Sequence, residues 1–400
     1  MTTIAHAISS GWVSSTGATG AQNYDEFASD AEITAVIAAN PRSALAIEMP
    51  HRTPSSVAMR TEFRAALDAA ATTFAAARDD GDYRPVQEVV APYRISTDAG
   101  TAYGLFCLID TDQISTSAAE PGLVIRNEDV FVGKVKERME LTARLGAVLS
   151  PVLLLQTADG GELHRRLADL TARLGPPAVT DLDQHGHEHA GWLVGPGPDQ
   201  DRLLDLAGGG ELIVADGNHR SLAAQEGGLG RFLAVVTTAE SVRIQPYNRL
   251  ITGIDADEAI RRLSAAGLRP VPVDGPPVQP DVPGSVVVHR AGASYRIDLP
   301  VPASGSPVDR LDHAVVERLL IGSALGLAPD DPAISYVGGD YPPQWLAQQV
   351  DHGTADLAVL IAPVSVEEFV AVNVARLTMP RKSTWFTPKA RGGLVVAEVS

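Results

Sequence analysis

The chain reads as an α/β (α+β) protein built from more than one packed region. Three observations carry this. Apolar runs of strand length alternate with stretches of helical length, and 400 residues exceed what one small core needs. The third is a junction at which Ile213-Val214-Ala215 has strand character, Asp216-Gly217-Asn218 has turn character, and a helix starts around His219-Arg220.

Residues 31–39 fit a helix that stops at Asn40-Pro41, because a residue before proline is pushed out of the helical region. Ala44 to Met49 reads as a short buried strand, and the Ala-rich stretch from Ser56 to about Arg78 as one helix ended by Asp79-Asp80-Gly81. Residues 87–95 and 102–110 read as paired strands. A compact unit follows Glu120-Pro121-Gly122: a loop at Arg126-Asn127-Glu128-Asp129, a helix over 133–145, a strand over 152–155, a helix over 161–174 and a strand over 191–194. The strand 211–215, the junction, a helix over 219–226 and a strand over 232–236 close it. Residues 270–284 are Pro-rich and fit a surface connection; 285–289 and 294–299 fit a hairpin around Gly292. Leu311, Val315, Val316, Leu319 and Leu320 share a helical face, and 394–397 is a last strand. The chain thus divides into an N-terminal α/β portion (1–120), a central unit (121–245) and a C-terminal α/β portion (246–400).

The formal charge of −17 opposes broad binding to nucleic acid polymers, although a small phosphorylated ligand needs only a local cluster of donors. Cys107 is the one cysteine, so no internal disulfide forms. No secretion signal and no apolar run of membrane-spanning length is visible, so a cytoplasmic protein without a membrane partner is expected. The sequence does not set an oligomeric state.

At the junction, Gly217 permits a tight turn, and the amides of the helix start converge with the Arg220 guanidinium on a spot suited to phosphate. The simpler alternative is a helix cap with Asp216 accepting amides and Arg220 in an ion pair. Glu128, on a loop before a helix bearing Lys134, Lys136 and Arg138, suits a general base toward a hydroxyl, or a magnesium ligand; helix-dipole complementarity is the alternative. Met379-Pro380-Arg381-Lys382-Ser383-Thr384-Trp385-Phe386-Thr387-Pro388-Lys389 packs cations and hydroxyls into a proline-bounded loop, in which Lys382 and Lys389 suit charge neutralisation. His185, His187 and His189 alternate, but Asp181, Asp183 and Gly186 around them favour a turn over a metal site, and no metal centre is assigned.

Several signatures in one order resemble the family called domain of unknown function 1015. They are Asn40-Pro41 with Ser43, Glu128 with Arg138, Ser150-Pro151, His189 with Trp192, Ala215 to Arg220, Pro246 with Asn248-Arg249, Leu311-Asp312 and Met379 to Lys389. The central unit is further similar to the fold shared by ParB, sulfiredoxin and the free-serine kinases. The resemblance implies phosphate binding by Gly217, Asn218, His219 and Arg220, and Asp216, Arg138, Ser383, Thr384 and Lys389 are the further candidates expected beside the cofactor. It implies catalysis by Glu128 as base, preferred to Glu48, with His219 and Lys382. This sequence departs from the pattern twice: Asn218 stands where a histidine is usual, and Asn127-Glu128 replaces His-Glu. The function implied is a small-molecule kinase using ATP or ADP with Mg2+, and free serine the first acceptor. A nucleotide-binding regulator without chemistry and a ParB-like DNA-binding protein are the alternatives, the last opposed by the acidic balance.

Overall fold

The computed structural model describes residues 3–27, 29–115, 121–128, 130–300, 302, 305–328 and 331–399; Glu120 and Asp129 lie outside them. The chain forms two compact units rather than three portions: Met1–Val242 with Pro388–Ser400, and Arg243–Thr387. The break expected at 120 is absent because strands from both sides of it share one sheet. That mixed nine-stranded sheet runs Val124–Ile125, Leu212–Asp216, Val152–Gln156, Arg231–Thr237, Gly100–Asp110, Ala91–Thr97, Glu188–Gly191, Val179–Leu182, with Ala5–His6 also paired to Gly100–Asp110.

The helices Gly160–Arg173 and Pro198–Ala207 bury Leu163, Leu167, Leu170, Leu203 and Leu206 against one face of this sheet, where Leu105, Leu154 and Val236 meet them. The spacing of these leucines is the three-and-four rhythm of a half-buried helix. A smaller sheet, Tyr83–Val89, Ile8–Ser14, Val395–Glu398, Ala147–Val148, forms a second core with the helices Asp30–Ala39, Leu67–Asp79 and Val132–Leu145.

Several local expectations change. Ala44–Glu48 is helical, not a strand, and all five residues are buried. A fully buried segment has no polar face, so its period is unreadable, and alanine, leucine and glutamate favour the helix. The single helix over 56–78 is broken: Pro54–Met59 ends at Arg60, whose φ of 56° is left-handed, and Leu67–Asp79 starts afresh. The strand over 87–95 is two strands, parted at Val90 after Glu88 at φ 51°. The strand placed at 191–194 lies earlier, at Glu188–Gly191.

The second unit is an antiparallel six-stranded sheet, Val271–Val273, Ala293–Asp298, Ser285–Arg290, Leu357–Ile361, Tyr247–Ile251, Ile334–Gly338. Leu311, Val315, Val316 and Leu320 are buried, as their spacing implies, although from Val316 to Leu325 the turns widen to the i+5 pattern. The Pro-rich stretch contributes the exposed strand Val271–Val273. Among the described residues no helix is long and apolar enough to cross a membrane.

Gly104 lets Arg231–Thr237 lie close to Gly100–Asp110: a Cβ there would stand 2.6 Å from Val235 Cγ1. Gly104→Ala is expected to cost about 1–3 kcal/mol through overpacking, measured as a lower urea midpoint with unchanged slope.

Candidate functional site

The strand Leu212–Asp216 carries the junction into the helix Asn218–Glu226. Its pairing with Val152–Gln156 shifts after Val214, so that Asp216 comes opposite Leu153 and Ala215 is the extra residue of a bulge. A bulge bends the strand and re-aims the residues after it. Gly217 then takes φ 97°, and having no side chain it caps none of the first-turn amides.

Asp216 is held between two cations. Arg220 Nη2 donates to its Oδ2 at 2.5 Å, and Lys389 Nζ stands 3.3 Å from its Oδ1. Arg220 Nη1 also donates to Asn23 Oδ1 at 2.5 Å. The side chains of Asp216, Arg220 and Lys389 are 8–14% exposed, so water screens their attraction weakly. The ion-pair alternative from the sequence is therefore present.

The two departures from the family pattern meet. Asn218 Nδ2 donates to Asn127 Oδ1, and the Asn127 amide donates to Asn218 Oδ1 at 3.3 Å, both residues buried. Three residues beyond Glu128, the Phe131 amide donates to His219 Nε2 at 3.0 Å, and the two rings stack at 6.0 Å. The loop carrying Glu128 is thus fastened at both ends to the first helical turn, and Glu128 itself is half-buried. His219 Nε2 is engaged as an acceptor, which fixes its proton on Nδ1; proton exchange through Nε2 requires that bond to break.

Arg138 bonds to a different helix. Its Nη2 donates at 3.0 Å to the carbonyl of Glu48, the last residue of the helix Ala44–Glu48, and its guanidinium lies 4.6 Å over Tyr24 and 5.3 Å over Phe63. A cation at a helix C-terminus is favourable. Arg138 and Arg220 nevertheless line one pocket of the first unit, together with Glu48 and Ser150, and Ser150 Oγ donates to Glu48 Oε2 at 2.8 Å. Asn23, Glu48 and Ser150 were not assigned to the site by sequence; the Ser150-Pro151 signature was the available hint.

The C-terminal motif divides between the units: Lys382, Ser383 and Thr384 belong to the second, Lys389 to the first. It is partly strand, since Trp385–Thr387 pairs with Arg243–Gln245. Fully buried Arg249 organises the preceding turn, donating to the carbonyls of Lys382 at 3.0 Å and Arg381 at 3.3 Å while paired to Glu317 at 3.0 Å. Lys382 takes φ 51°, with its ammonium 5.5 Å over Tyr247. Ser383 is buried and Thr384 half-buried.

The alternating histidines build a turn. Asp183 accepts the amides of His185 at 2.8 Å and His187 at 2.9 Å, and faces His189 Nε2 at 3.2 Å. Burial alone raises its carboxyl, but hydrogen bonds from His189 and the His187 amide, with both imidazoles nearby, reverse this and hold it well below the usual carboxylate range. His189 is buried and bonded to the Tyr93 hydroxyl at 2.5 Å.

Gly217→Ala is expected to lower stability by about 1–2 kcal/mol, because a Cβ at φ 97° would meet Arg220 Nε at 2.9 Å; a denaturant titration measures it. A double-mutant cycle on Asn127→Ala and Asn218→Ala should return a coupling of about 0.5–3 kcal/mol, and additive losses would show that the pair contributes nothing. In the second unit, burial, with Arg249 next, holds the His313 imidazole down to about 3. Its folded value lies below its ordinary one, so the unfolded chain takes up the proton first. Stability should fall as pH drops from 6.5 toward 3, by about 1.4 kcal/mol per pH unit; acid titrations of His313→Gln should lack that share of the slope.

No curated protein matches the chain in sequence. Among solved structures, a free serine kinase in complex with AMP aligns with TM-score 0.39 and 15% identity, covering 70% of this chain and 87% of its own. A conserved hypothetical protein from Pyrococcus furiosus aligns with TM-score 0.38 and 15% identity over 70% and 90%. SbnI from Staphylococcus aureus, truncated at its C-terminus, aligns with TM-score 0.39 and 13% identity over 72% and 84%. The family model described as a protein of unknown function (DUF1015) matches residues 17–314, about three-quarters of the chain, which takes in the signatures from Asn40-Pro41 to Leu311-Asp312 and stops before Met379. The chain belongs to the DUF1015 family.

Proposed function

We propose that the first unit is a small-molecule kinase, transferring a phosphoryl group from ATP or ADP to a hydroxyl, with free serine the first acceptor to test. The observation that carries this is the double fastening of the Glu128 loop to the first turn of Asn218–Glu226 by Asn127–Asn218 and Phe131–His219. It sets a carboxylate one residue from a cationic helix start, the combination that phosphoryl transfer to a hydroxyl requires.

The helix amides, with Arg220 and Lys389 beside them, hold the nucleotide phosphates. The acceptor oxygen attacks the terminal phosphorus, the bond to the nucleotide's bridging oxygen breaks, and the acceptor proton passes to Glu128. Positioning and charge neutralisation supply most of the rate. Magnesium, implied by the resemblance, does not fit Asp216, both of whose oxygens face cations. No step is therefore routed through a metal held there.

Purified protein given serine with ATP or ADP, with and without magnesium, should form phosphoserine. Glu128→Gln should lower kcat by about 10²–10⁴-fold with nucleotide affinity unchanged, and Arg220→Ala should weaken nucleotide binding by about 10–100-fold. Absence of nucleotide turnover with every hydroxyl acceptor would sink the kinase assignment. The engaged Nε2 of His219 favours one second function, a nucleotide-binding regulator. It is distinguished by saturable nucleotide binding, lost in Arg220→Ala and indifferent to Glu128→Gln, without product.

A further inference from the structure

The first unit contains a pocket that shares Arg220 with the phosphate turn and adds groups the turn does not use. Arg138 lines it, is 6% exposed, and has Nε and Nη1 without hydrogen-bond partners among the described residues. Three N–H donors of a buried guanidinium thus lack acceptors, although such donors are costly to leave unsatisfied. The stacked rings of Tyr24 and Phe63 and the Glu48 carbonyl meet its faces and Nη2, not these donors. Glu48 and Arg220 line the same pocket, and its walls are otherwise largely aliphatic, Leu141 and Leu149 among them.

We infer that this pocket binds the acceptor as a small α-amino acid, its carboxylate on Arg138 and its ammonium on Glu48. This rests on the kinase function proposed above. A planar carboxylate supplies the acceptors that Nε and Nη1 lack, and charge-assisted bonds to guanidinium are the strong ones. Glu48 already accepts from Ser150, but a carboxylate offers about four lone-pair sites and has capacity for an ammonium. Its charge also disfavours a dianionic phosphate beside Arg138, so a ligand carrying its own cation is selected. Arg220 joins the phosphate turn and is common to both sites, so a side-chain hydroxyl projecting from the pocket points toward the transferring phosphate. The aliphatic walls lower the local dielectric and strengthen both ionic contacts.

Calorimetric titration of the full chain with L-serine, with ethanolamine as the probe lacking a carboxylate, and separately with ADP tests it. L-serine should bind saturably without nucleotide, and ethanolamine at least tenfold more weakly. Arg138→Lys keeps the charge but loses the planar donors, and should weaken L-serine at least tenfold while leaving ADP affinity unchanged. Ala223→Leu, which fills the pocket from the helix Asn218–Glu226 without touching a charge, should do the same. If either variant fails to fold, the wild-type contrast between L-serine and ethanolamine decides. Binding of ADP without L-serine, equal binding of L-serine and ethanolamine, or a loss in Arg138→Lys confined to ADP overturns the inference and leaves the kinase function standing. Binding of L-serine without any nucleotide binding does the reverse: the pocket assignment holds and the kinase function falls.

Discussion

The carboxylate of Asp216 between Arg220 and Lys389 is the constraint on which the first unit's site depends. Removing one partner of a buried ion pair leaves a charge uncompensated at a cost of about 3–5 kcal/mol, so the arrangement resists partial dismantling. It also joins distant parts of the chain. Arg220 reaches Asn23, and Lys389 begins a segment whose Arg391 pairs with Asp181 and whose strand Val395–Glu398 lies between Ile8–Ser14 and Ala147–Val148. A chain carrying −17 overall therefore holds two cations on one carboxylate in a fixed frame. A net charge describes long-range behaviour; a site is decided within a few ångströms.

The junction was legible in the sequence because its information is local. A strand of Ile, Val and Ala, a glycine where the backbone turns left-handed, and an arginine one helical turn on from Asp216 are all read within nine residues. The bulge at Ala215 was not legible, since it exists only in the register against Val152–Gln156. Ala44–Glu48 failed for a related reason: burial on every side erased the periodicity that separates helix from strand. That error mattered to the site. As a helix, the segment ends in a carbonyl at Glu48, which is what Arg138 meets, and so Arg138 is held by a helix that the sequence reading took for a strand.

The divided C-terminal motif carries a similar lesson. As a sequence it looks like one loop of cations and hydroxyls. In the structure its aromatic residues are buried, with Phe386 packed edge-on against Phe369 at 4.8 Å, and Arg249 secures the turn before them through backbone carbonyls. Part of what makes the motif distinctive is therefore the folding of the second unit, in which Asn248-Arg249, another of the signatures, is the partner that gives the turn its shape. A motif's specificity as a family mark and its share in chemistry are separate quantities.

Asn127 and Asn218, ninety-one residues apart along the chain, are the two positions at which the resemblance implies histidine. In space they are one pair. An amide carries a donor and an acceptor on the same group, so two buried asparagines satisfy one another reciprocally and also take up a backbone amide. A neutral histidine opposite an asparagine offers one donor and one acceptor at a different separation, and two histidines would have to share protons according to their tautomers. The asparagine tie does not titrate where imidazole does, whereas the Phe131–His219 tie needs an unprotonated Nε2 to accept. The loop is thus held against the helix start by one amide pair that does not titrate and one imidazole that accepts.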